Sequence, residues 1–307
     1  MVKKVSFIHA SDFLNVVENQ NKVLLDILDK EIYYYNKECK FSEARSLIKI
    51  NKIFKKLNKK ELLSIQNRII DIESILKSNL DNSLNLVLSG STTKGTYIHR
   101  LSDVDILIML NKSFFFNKKP EIIQKKVLDI LKRSFPEQKI KRDHEAINFF
   151  IEKRIKIQFV PVIFKKGKIY FPKREEKTWK KIHPEIFGNL LTKQNKKFNK
   201  KISVSIKIIK AIITKFPKKL RLNNHHLEVL MYLFSKESSN KNKDFLNFIS
   251  NFFFYTSKRI MEPIEDSSKQ FEFIDEYMGK SENSKRKIIS KKLKEISKQI
   301  KENKISL

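Results

Sequence analysis

Cysteine, glycine and proline are scarce in this sequence. The 307 residues include one cysteine, Cys39, together with five glycines and seven prolines. A single thiol excludes an intramolecular disulfide and any zinc site built from several cysteines. The six histidines do not supply a zinc site either. Four of them are scattered, and His225 and His226 are adjacent on a predicted helix, where they point in different directions.

Long apolar runs are also absent. No uninterrupted stretch approaches the roughly 20 apolar residues that cross a bilayer, and no apolar stretch of the signal-peptide kind follows residues 1–4. Hydrophobic residues still make up 40% of the chain, which excludes wholesale disorder. We therefore expect a soluble cytoplasmic protein that has no membrane partner.

Acidic residues are few beside basic ones. Lysine and arginine number 65 against 34 aspartates and glutamates, so the formal net charge is +31. An excess of this size indicates a polyanionic ligand, namely nucleic acid, nucleoside triphosphates or both. Residues 52–60 and 285–298 form lysine-rich helical surfaces that would bind duplex RNA or DNA through its phosphates. The alternative is a solvated lysine surface without a partner.

Hydrophobic periodicity in the first half of the chain predicts a mixed sheet flanked by helices. Three helical patterns come first, and Ser11 is suited to cap the first of them. The period then changes, because short strands alternate with one amphipathic helix over 122–131. The predicted strands cover residues 84–88, 104–110, 146–151 and 155–164.

The second half of the chain is predicted to be helical from Trp179 onward. The predicted helices cover about 203–215, 225–236, 243–254 and 282–304. We therefore expect an α+β fold in two parts. Residues 1–165 contain the N-terminal helices and the sheet core, and residues 166–307 form a helical domain packed against that core.

Two pairs of residues in the first half carry the chemistry. Gly90 lets the backbone approach a phosphate closely, and Ser91 supplies a hydroxyl and an amide near a helix start. Asp103 and Asp105 are two apart on a strand, so both carboxylates project from one face. Two such charges need a cation between them, and hard oxygen ligands suit magnesium or manganese in a two-metal site.

This arrangement resembles the active site of the DNA polymerase beta superfamily. The wider pattern is similar to the bacterial cyclic-oligonucleotide synthases (CD-NTases) related to cyclic GMP-AMP synthase and oligoadenylate synthase. The resemblance covers roughly residues 84–235. The further motifs that carry it are Gln158-Phe159-Val160-Pro161, Trp179 with Pro184, Asn195, Lys210 and Asn224-His225-His226-Leu227-Glu228.

The resemblance implies a fold, an activity and roles for several residues. It implies a polymerase beta-like core with a C-terminal helical lobe, in which Gly90 and Ser91 hold an ATP, GTP or other NTP substrate. Lys210 would contact the donor triphosphate. Asn224 would occupy the position at which family members usually have a serine that assists this contact. The product would be a cyclic di- or trinucleotide that activates a separate effector protein in antiphage (CBASS-like) signalling.

One position departs from the family pattern. The third metal-binding aspartate falls at Gln158, whose amide offers a carbonyl oxygen but neither a charge nor a proton-accepting carboxylate. Three explanations stay open: a degenerate enzyme that still binds nucleotide, a borrowed carboxylate such as Glu152, or an introduced inactivating change. Two other functions also stay open. One is a template-independent RNA or tRNA nucleotidyltransferase, and the other is an inactive nucleotide- or RNA-binding pseudoenzyme.

Overall fold

The structure is a computed structural model. It describes residues 7–111, 113–143, 145–151, 155–173, 178–183, 185–238, 244–266, 273–279 and 283–302. The chain forms two compact units. The first comprises Met1–Asn19 and Asn58–His183, and the second comprises Gln20–Leu57 and Pro184–Leu307.

Three helices form the N-terminal part, and they are the three that the sequence predicts. They are α1 (Phe13–Lys37), α2 (Phe41–Lys55) and α3 (Lys59–Asn79). The side chain of Asn58 caps α3, because its oxygen accepts a hydrogen bond from the Glu61 amide at 3.2 Å. Ser11 does not cap α1. It lies inside a short 3₁₀ turn that precedes the helix, and the His9 ring accepts from its amide.

The described strands form one mixed sheet in the first unit. In chain order they are β1 (Asn85–Leu88), β2 (Val104–Leu110), β3 (Lys139–Asp143), β4 (Ala146–Ile151), β5 (Ile155–Lys165), β6 (Lys168–Lys173) and β7 (Thr178–Ile182). The spatial order is β1-β2-β5-β4-β3, with β6 pairing β5 and β7 pairing β6. Only the pairing of β2 with β5 is parallel among these strand pairs. The expected mixed sheet flanked by helices is therefore confirmed.

A parallel pair needs a crossover connection, and short helices occupy the segments around it. Between β1 and β2 lies a single helical turn, α4 (Gly90–Thr93). Between β2 and β3 lie α5 (Ser113–Phe116) and α6 (Pro120–Ser134). Helix α6 begins with a proline in its first turn and buries Ile123, Val127 and Leu131, so it matches the amphipathic helix predicted over 122–131.

The sheet extends further along the chain than the sequence predicts. Residues 178–182 form β7, although helix was expected from Trp179 onward. Strand β6 continues from β5 through a tight turn at Gly167, so the sheet passes the expected boundary after residue 165. The sequence of β7 has no clear alternation of apolar and polar residues, because it borders the sheet and its residues are exposed or half-buried.

Five helices make up the rest of the second unit. They are α7 (Glu185–Lys197), α8 (Lys201–Ile213), α9 (Asn224–Glu237), α10 (Phe245–Arg259) and α11 (Ser284–Lys301). Helix α8 is buried on nearly every side, as its run of isoleucines and valine requires. Helix α11 buries Ile289, Leu293 and Ile300 on one face, and this confirms the amphipathic pattern predicted at that end. No helix among the described residues is long and apolar enough to cross a membrane.

A buried polar cluster holds the end of the second unit together. The fully buried Arg286 donates to the Asp275 carboxylate at 2.7 Å and to the carbonyl oxygens of Ile260 and Gly279. Nearby, the buried His226 ring lies 2.8 Å from the Tyr277 hydroxyl. Burial is the largest cause that lowers the pKa of His226 to about 4; the Asp275 charge opposes this shift, and the Arg286 charge adds to it.

His226 should make the folded state sensitive to mild acid. Above the unfolded-state pKa of 6.5, the ring is neutral in both states and its contribution is fully present. As the pH falls from 6.5 to about 4, only the unfolded state takes up the proton, so stability falls by on the order of 3 kcal/mol. We expect the variant His226→Gln to lose less stability than the wild type over this range.

Urea unfolding at pH 7.5 and pH 4.5 measures this difference. The other histidines are present in both proteins, so their contributions cancel in the comparison. An equal loss of unfolding free energy in both proteins would contradict the assignment to His226.

Candidate active site

A row of polar side chains crosses the sheet on one face. Asp105 on β2 lies opposite Gln158 on β5, and Gln158 lies opposite Asn148 on β4. The next residues along these strands, Ile106, Phe159 and Ile147, are buried in the apolar core, as the alternation of strand side chains requires. Three neighbouring strands thus bring an aspartate, a glutamine and an asparagine together.

Gly90 packs directly against Asp105. The glycine has φ +57°, and a Cβ atom built on it would lie 1.8 Å from the Asp105 Oδ2 atom. The backbone is fixed as well, because the Ser89 amide donates to the Asp105 carbonyl oxygen at 2.9 Å. A side chain at position 90 would therefore displace the Asp105 carboxylate. The sequence indicated a glycine for close approach of a phosphate, and the structure adds this second requirement.

Ser91 lies in the single turn of α4, directly after Gly90. Ser91 is buried, and its carbonyl oxygen accepts a hydrogen bond from the Thr96 amide at 3.0 Å. The Thr93 hydroxyl donates to the Gly90 carbonyl oxygen at 3.1 Å. The segment is thus a closed helical turn, as the expected helix start near Ser91 requires, and it holds Gly90 next to Asp105 on β2.

Asp103 lies just before β2 and forms an ion pair with a lysine that the sequence did not single out. Nζ of Lys156 is 2.6 Å from Oδ2 of Asp103. Lys156 precedes Gln158 by two residues on β5, so both side chains project from the same face. No feature of the local sequence distinguishes this lysine from the many others, because its partner is more than fifty residues away.

Hydrogen bonding orients the Gln158 amide. When its nitrogen faces Asp105, it donates to Oδ1 at 3.1 Å and its oxygen accepts from Lys156 Nζ at 3.1 Å. The opposite orientation would place the amide oxygen against the Asp105 carboxylate, two acceptors face to face. In that opposite orientation the amide nitrogen instead donates to the Asn148 Oδ1 atom at 3.1 Å. Gln158 therefore links Asp105 to Lys156.

These residues fit one divalent cation and do not fit a second. Asp103 and Asp105 offer the hard carboxylate oxygens that magnesium or manganese prefers. The protein offers no carboxylate for a second cation at the third position, because a neutral amide lies there beside an ammonium group. Within the described ranges, no three carboxylate, imidazole or thiol side chains converge as metal ligands. Glu152, the alternative carboxylate, lies outside the described residues.

A second polar cluster anchors the loop that leads into Asp103. The carboxylate of Glu61, in the first turn of α3, accepts from the His99 ring at 2.8 Å and from Arg100 at 2.7 Å. Burial alone would raise the pKa of Glu61, but the hydrogen bonds from Arg100 and His99 hold it below its ordinary value. Sequence reasoning missed this cluster, since 38 residues separate Glu61 from His99.

Tyr97 lies in the same loop and faces the acidic groups. Burial raises the pKa of its hydroxyl well above the ordinary value, and the carboxylates of Glu61, Asp103 and Asp105 raise it further. The hydroxyl has no hydrogen-bond partner among the described residues. The ring packs edge to face against Phe13 at a centroid distance of 5.6 Å. Tyr97 is therefore a neutral, buried neighbour of the carboxylate pair.

Lys210 and Asn224 belong to the second unit. Nζ of Lys210 lies 2.8 Å from the Glu228 carboxylate, and both side chains are almost fully buried. One turn earlier on α8, Lys207 is also buried, and burial together with the Lys210 charge lowers its pKa to about 7. Asn224 begins α9 and is exposed, whereas Asn223 caps that helix. The roles of Lys210 and Asn224 toward a triphosphate stay predictions.

Two further residues of the predicted pattern have structural contacts. The Asn195 side chain accepts from the Ser203 amide at 3.0 Å and so joins α7 to the start of α8. The Trp179 ring nitrogen donates to the Lys118 carbonyl oxygen at 2.7 Å, which joins β7 to the segment before α6. Pro184 lies outside the described residues.

Comparison with known proteins supports the same assignment. Residues 46–195 match the model of the second messenger oligonucleotide or dinucleotide synthetase (SMODS) domain. Just under half of the chain is thus similar to a SMODS domain. The matched residues contain Gly90, Ser91, Asp103, Asp105 and Gln158, and the predicted resemblance to bacterial CD-NTases is confirmed. Among curated proteins, no sequence matches this chain.

Solved structures share the fold around the SMODS domain. Escherichia coli MS115-1 CdnC, solved with ATP, is 13% identical at a TM-score of 0.56 and covers 80% of this chain and 87% of its own. Escherichia coli DncV, bound to 3′-deoxy GTP, is 11% identical at a TM-score of 0.56. The match covers 95% of this chain and 85% of DncV. Elizabethkingia meningoseptica CdnE, a cyclic dinucleotide synthase solved with GTP and Apcpp, is 16% identical at a TM-score of 0.54. The match covers 74% of this chain and 89% of CdnE. At these identities the likeness establishes the fold alone.

The contact between Gly90 and Asp105 predicts a specific sensitivity to an added methyl group. Gly90→Ala should destabilise the protein by about 2 kcal/mol more than Gly167→Ala, because overpacking typically costs this much. Gly167 is the matched control: it also has a positive φ, +72°, but a Cβ atom there would meet nothing within 4 Å. Both variants share the backbone strain of a left-handed alanine.

Denaturant unfolding of the two variants and the wild type provides the measurement. Equal destabilisation by the two alanines would show that Asp105 does not need the space at position 90.

Proposed function

We propose that this chain is a metal-dependent nucleotidyltransferase that makes a cyclic di- or trinucleotide from nucleoside triphosphates. The observation that carries the proposal is the packing of the Asp105 carboxylate against Gly90, with Asp103 two residues earlier. The Asp105 carboxylate lies directly beside this backbone turn, which supports the proposal. The SMODS match over the same residues supports the reaction class.

The proposed reaction is a substitution at phosphorus. A hydroxyl oxygen of one nucleotide forms a bond to the α-phosphorus of another, and the bond from that phosphorus to the bridging oxygen of the β-phosphate breaks. Pyrophosphate leaves with the bonding electrons, and the hydroxyl proton passes to a base. Asp103 and Asp105 are the carboxylates of the candidate site that would take this proton. Repeated transfer, with the last step inside one molecule, closes the ring.

Asp103 and Asp105 would hold one magnesium or manganese ion. When bound, such an ion neutralises charge on the triphosphate and polarises its phosphoryl oxygens. Gly90 and Ser91 would contact the phosphates through the backbone and the hydroxyl group. The ion pairs of Glu61 with the largely buried His99 side chain and the exposed Arg100 hold the loop before Asp103 in place.

The substrates that we propose are ATP and GTP. The neighbours with the same fold were solved with ATP, with 3′-deoxy GTP, or with GTP and Apcpp. A second solved DncV, from Vibrio cholerae, is a cyclic AMP-GMP synthase. For this chain we propose an antiphage role in which the cyclic product activates a separate effector protein. A cytoplasmic location stays a prediction.

Product formation from four labelled NTPs with magnesium or manganese tests the proposed activity. We expect a small, phosphatase-resistant product from the wild-type chain, because a closed ring has no terminal phosphate. Asp105→Asn should reduce its rate by about 100-fold or more, since loss of charge stabilisation in phosphoryl chemistry is typically this large. Gln158→Asp restores the third carboxylate and reports whether that position limits the rate.

Each other result selects a different function. Label incorporated into added RNA, without a small product, would favour the RNA-tailing alternative. Nucleotide binding without any product, in both the wild type and Gln158→Asp, would favour a pseudoenzyme and contradict the proposal.

We also propose that one basic face recruits a duplex nucleic acid as activator. On α11, Lys287, Lys291 and Lys294 follow the helical period and are exposed, and Lys258 on α10 borders the same shallow depression. The buried side of α11 is apolar, so its lysines point away from the core. Such a row of charges suits phosphate contacts that do not depend on sequence.

Salt dependence distinguishes this face from the rest of the lysine-rich surface. The plot of log affinity for duplex RNA against log salt concentration has a negative slope. Converting Lys287, Lys291 and Lys294 to glutamine should reduce the magnitude of this slope by about 2 to 3, because phosphate contacts are lost. The control converts the exposed Lys125, Lys126 and Lys132 on α6, which removes the same charge. An equal change in both variants, or a flat response in the wild type, would remove the proposal.

A further inference from the structure

Lys156 occupies the side of the site where a second divalent cation would need its ligands. Its Nζ atom lies 2.6 Å from Asp103 and 3.1 Å from the Gln158 amide. The strand register explains this position. Val104 is opposite Ile157 and Asp105 is opposite Gln158, so Asp103 and Lys156 flank the same end of the parallel pair. The register of β2 with β5 therefore brings these two side chains together.

The combined charge of the four side chains at the site makes a second divalent cation unfavourable. Three carboxylates would carry three negative charges and would need more than one divalent ion for balance. Here Asp103 and Asp105 carry two negative charges, Lys156 carries one positive charge and Gln158 carries none. One divalent ion is enough to outweigh the single negative charge that remains. A second ion would lie beside the ammonium group, and like charges repel strongly in a partly buried site.

The orientation of the Gln158 amide also argues against a second divalent cation. The orientation that satisfies both charged neighbours has its nitrogen facing Asp105 and its oxygen accepting from Lys156, whereas the other orientation gains only the bond to Asn148. The amide oxygen, which is the only metal-ligating atom of this side chain, is thus engaged with the ammonium group. Lys156 and Gln158 form one hydrogen-bonded unit that satisfies both aspartates without a third carboxylate.

We propose that Lys156 is a built-in cation that replaces the second divalent ion, so that the site takes a single divalent ion together with its nucleotide. The inference rests on the proposed nucleotidyltransferase function and deepens it. It gives the glutamine at the third ligand position a role: Gln158 accepts from the ammonium group that pairs with Asp103 and donates to Asp105. Lys156 is on this view a positioning and charge-balancing residue of the site.

Counting bound Mn²⁺ by the electron paramagnetic resonance signal of the free ion tests the inference without any turnover. The full-length chain is titrated in the presence of an equimolar, non-hydrolysable ATP analogue with a methylene group between the α- and β-phosphates. We expect one Mn²⁺ per wild-type complex and two in the double variant Lys156→Met, Gln158→Asp. Lys156→Arg keeps a cation and should stay at one.

The control variant is Lys168→Met, which removes an exposed lysine from β6 of the same sheet and should leave the count at one. Two Mn²⁺ ions in the wild-type complex would overturn the inference, as would a folded double variant that still binds one. The wild-type count decides the question even where the double variant does not fold. A chain that binds neither the analogue nor Mn²⁺ would instead refute the proposed function itself.

Discussion

Strands β2 and β5 run parallel with Asp105 opposite Gln158, and the site depends on this register. The pairing brings together residues that are more than fifty positions apart in the chain. Side chains alternate along each strand, so a shift of one residue would turn Asp105 into the apolar core and Ile106 toward the site. The crossover through α6 makes the parallel arrangement possible. Gly90 then closes one side of Asp105, where no other side chain has room.

Charge is handled differently at the site and in the interior. In the second unit, the deeply buried Lys210 and Arg286 each meet a carboxylate, as buried charges must. At the site the side chains of Lys156 and Asp103 are partly exposed, so an entering ion or nucleotide can still reach them. Lys207 differs from both groups, because it is buried near another lysine and its pKa is lowered to about 7.

Local sequence pattern succeeded where burial follows a regular period. The N-terminal helices, the strands on either side of α4 and the amphipathic α11 all appear as predicted. It failed at β3, β6 and β7. Strand β3 has a single buried residue, Ile140, among charged neighbours, and β7 borders the sheet. Such strands are stabilised by pairing with a neighbour, which leaves little trace in their own apolar pattern.

The sequence by itself determined the chemical class of this protein. Gly90, Ser91, Asp103 and Asp105 lie close together in the chain, so their order and spacing can be recognised from the sequence without coordinates. Only the tertiary structure decided what surrounds them. The ion pair of Lys156 with Asp103 and the anchoring of His99 and Arg100 by Glu61 join segments that are far apart in sequence. Local periodicity carries no information on such contacts, because they arise when strands and helices pack.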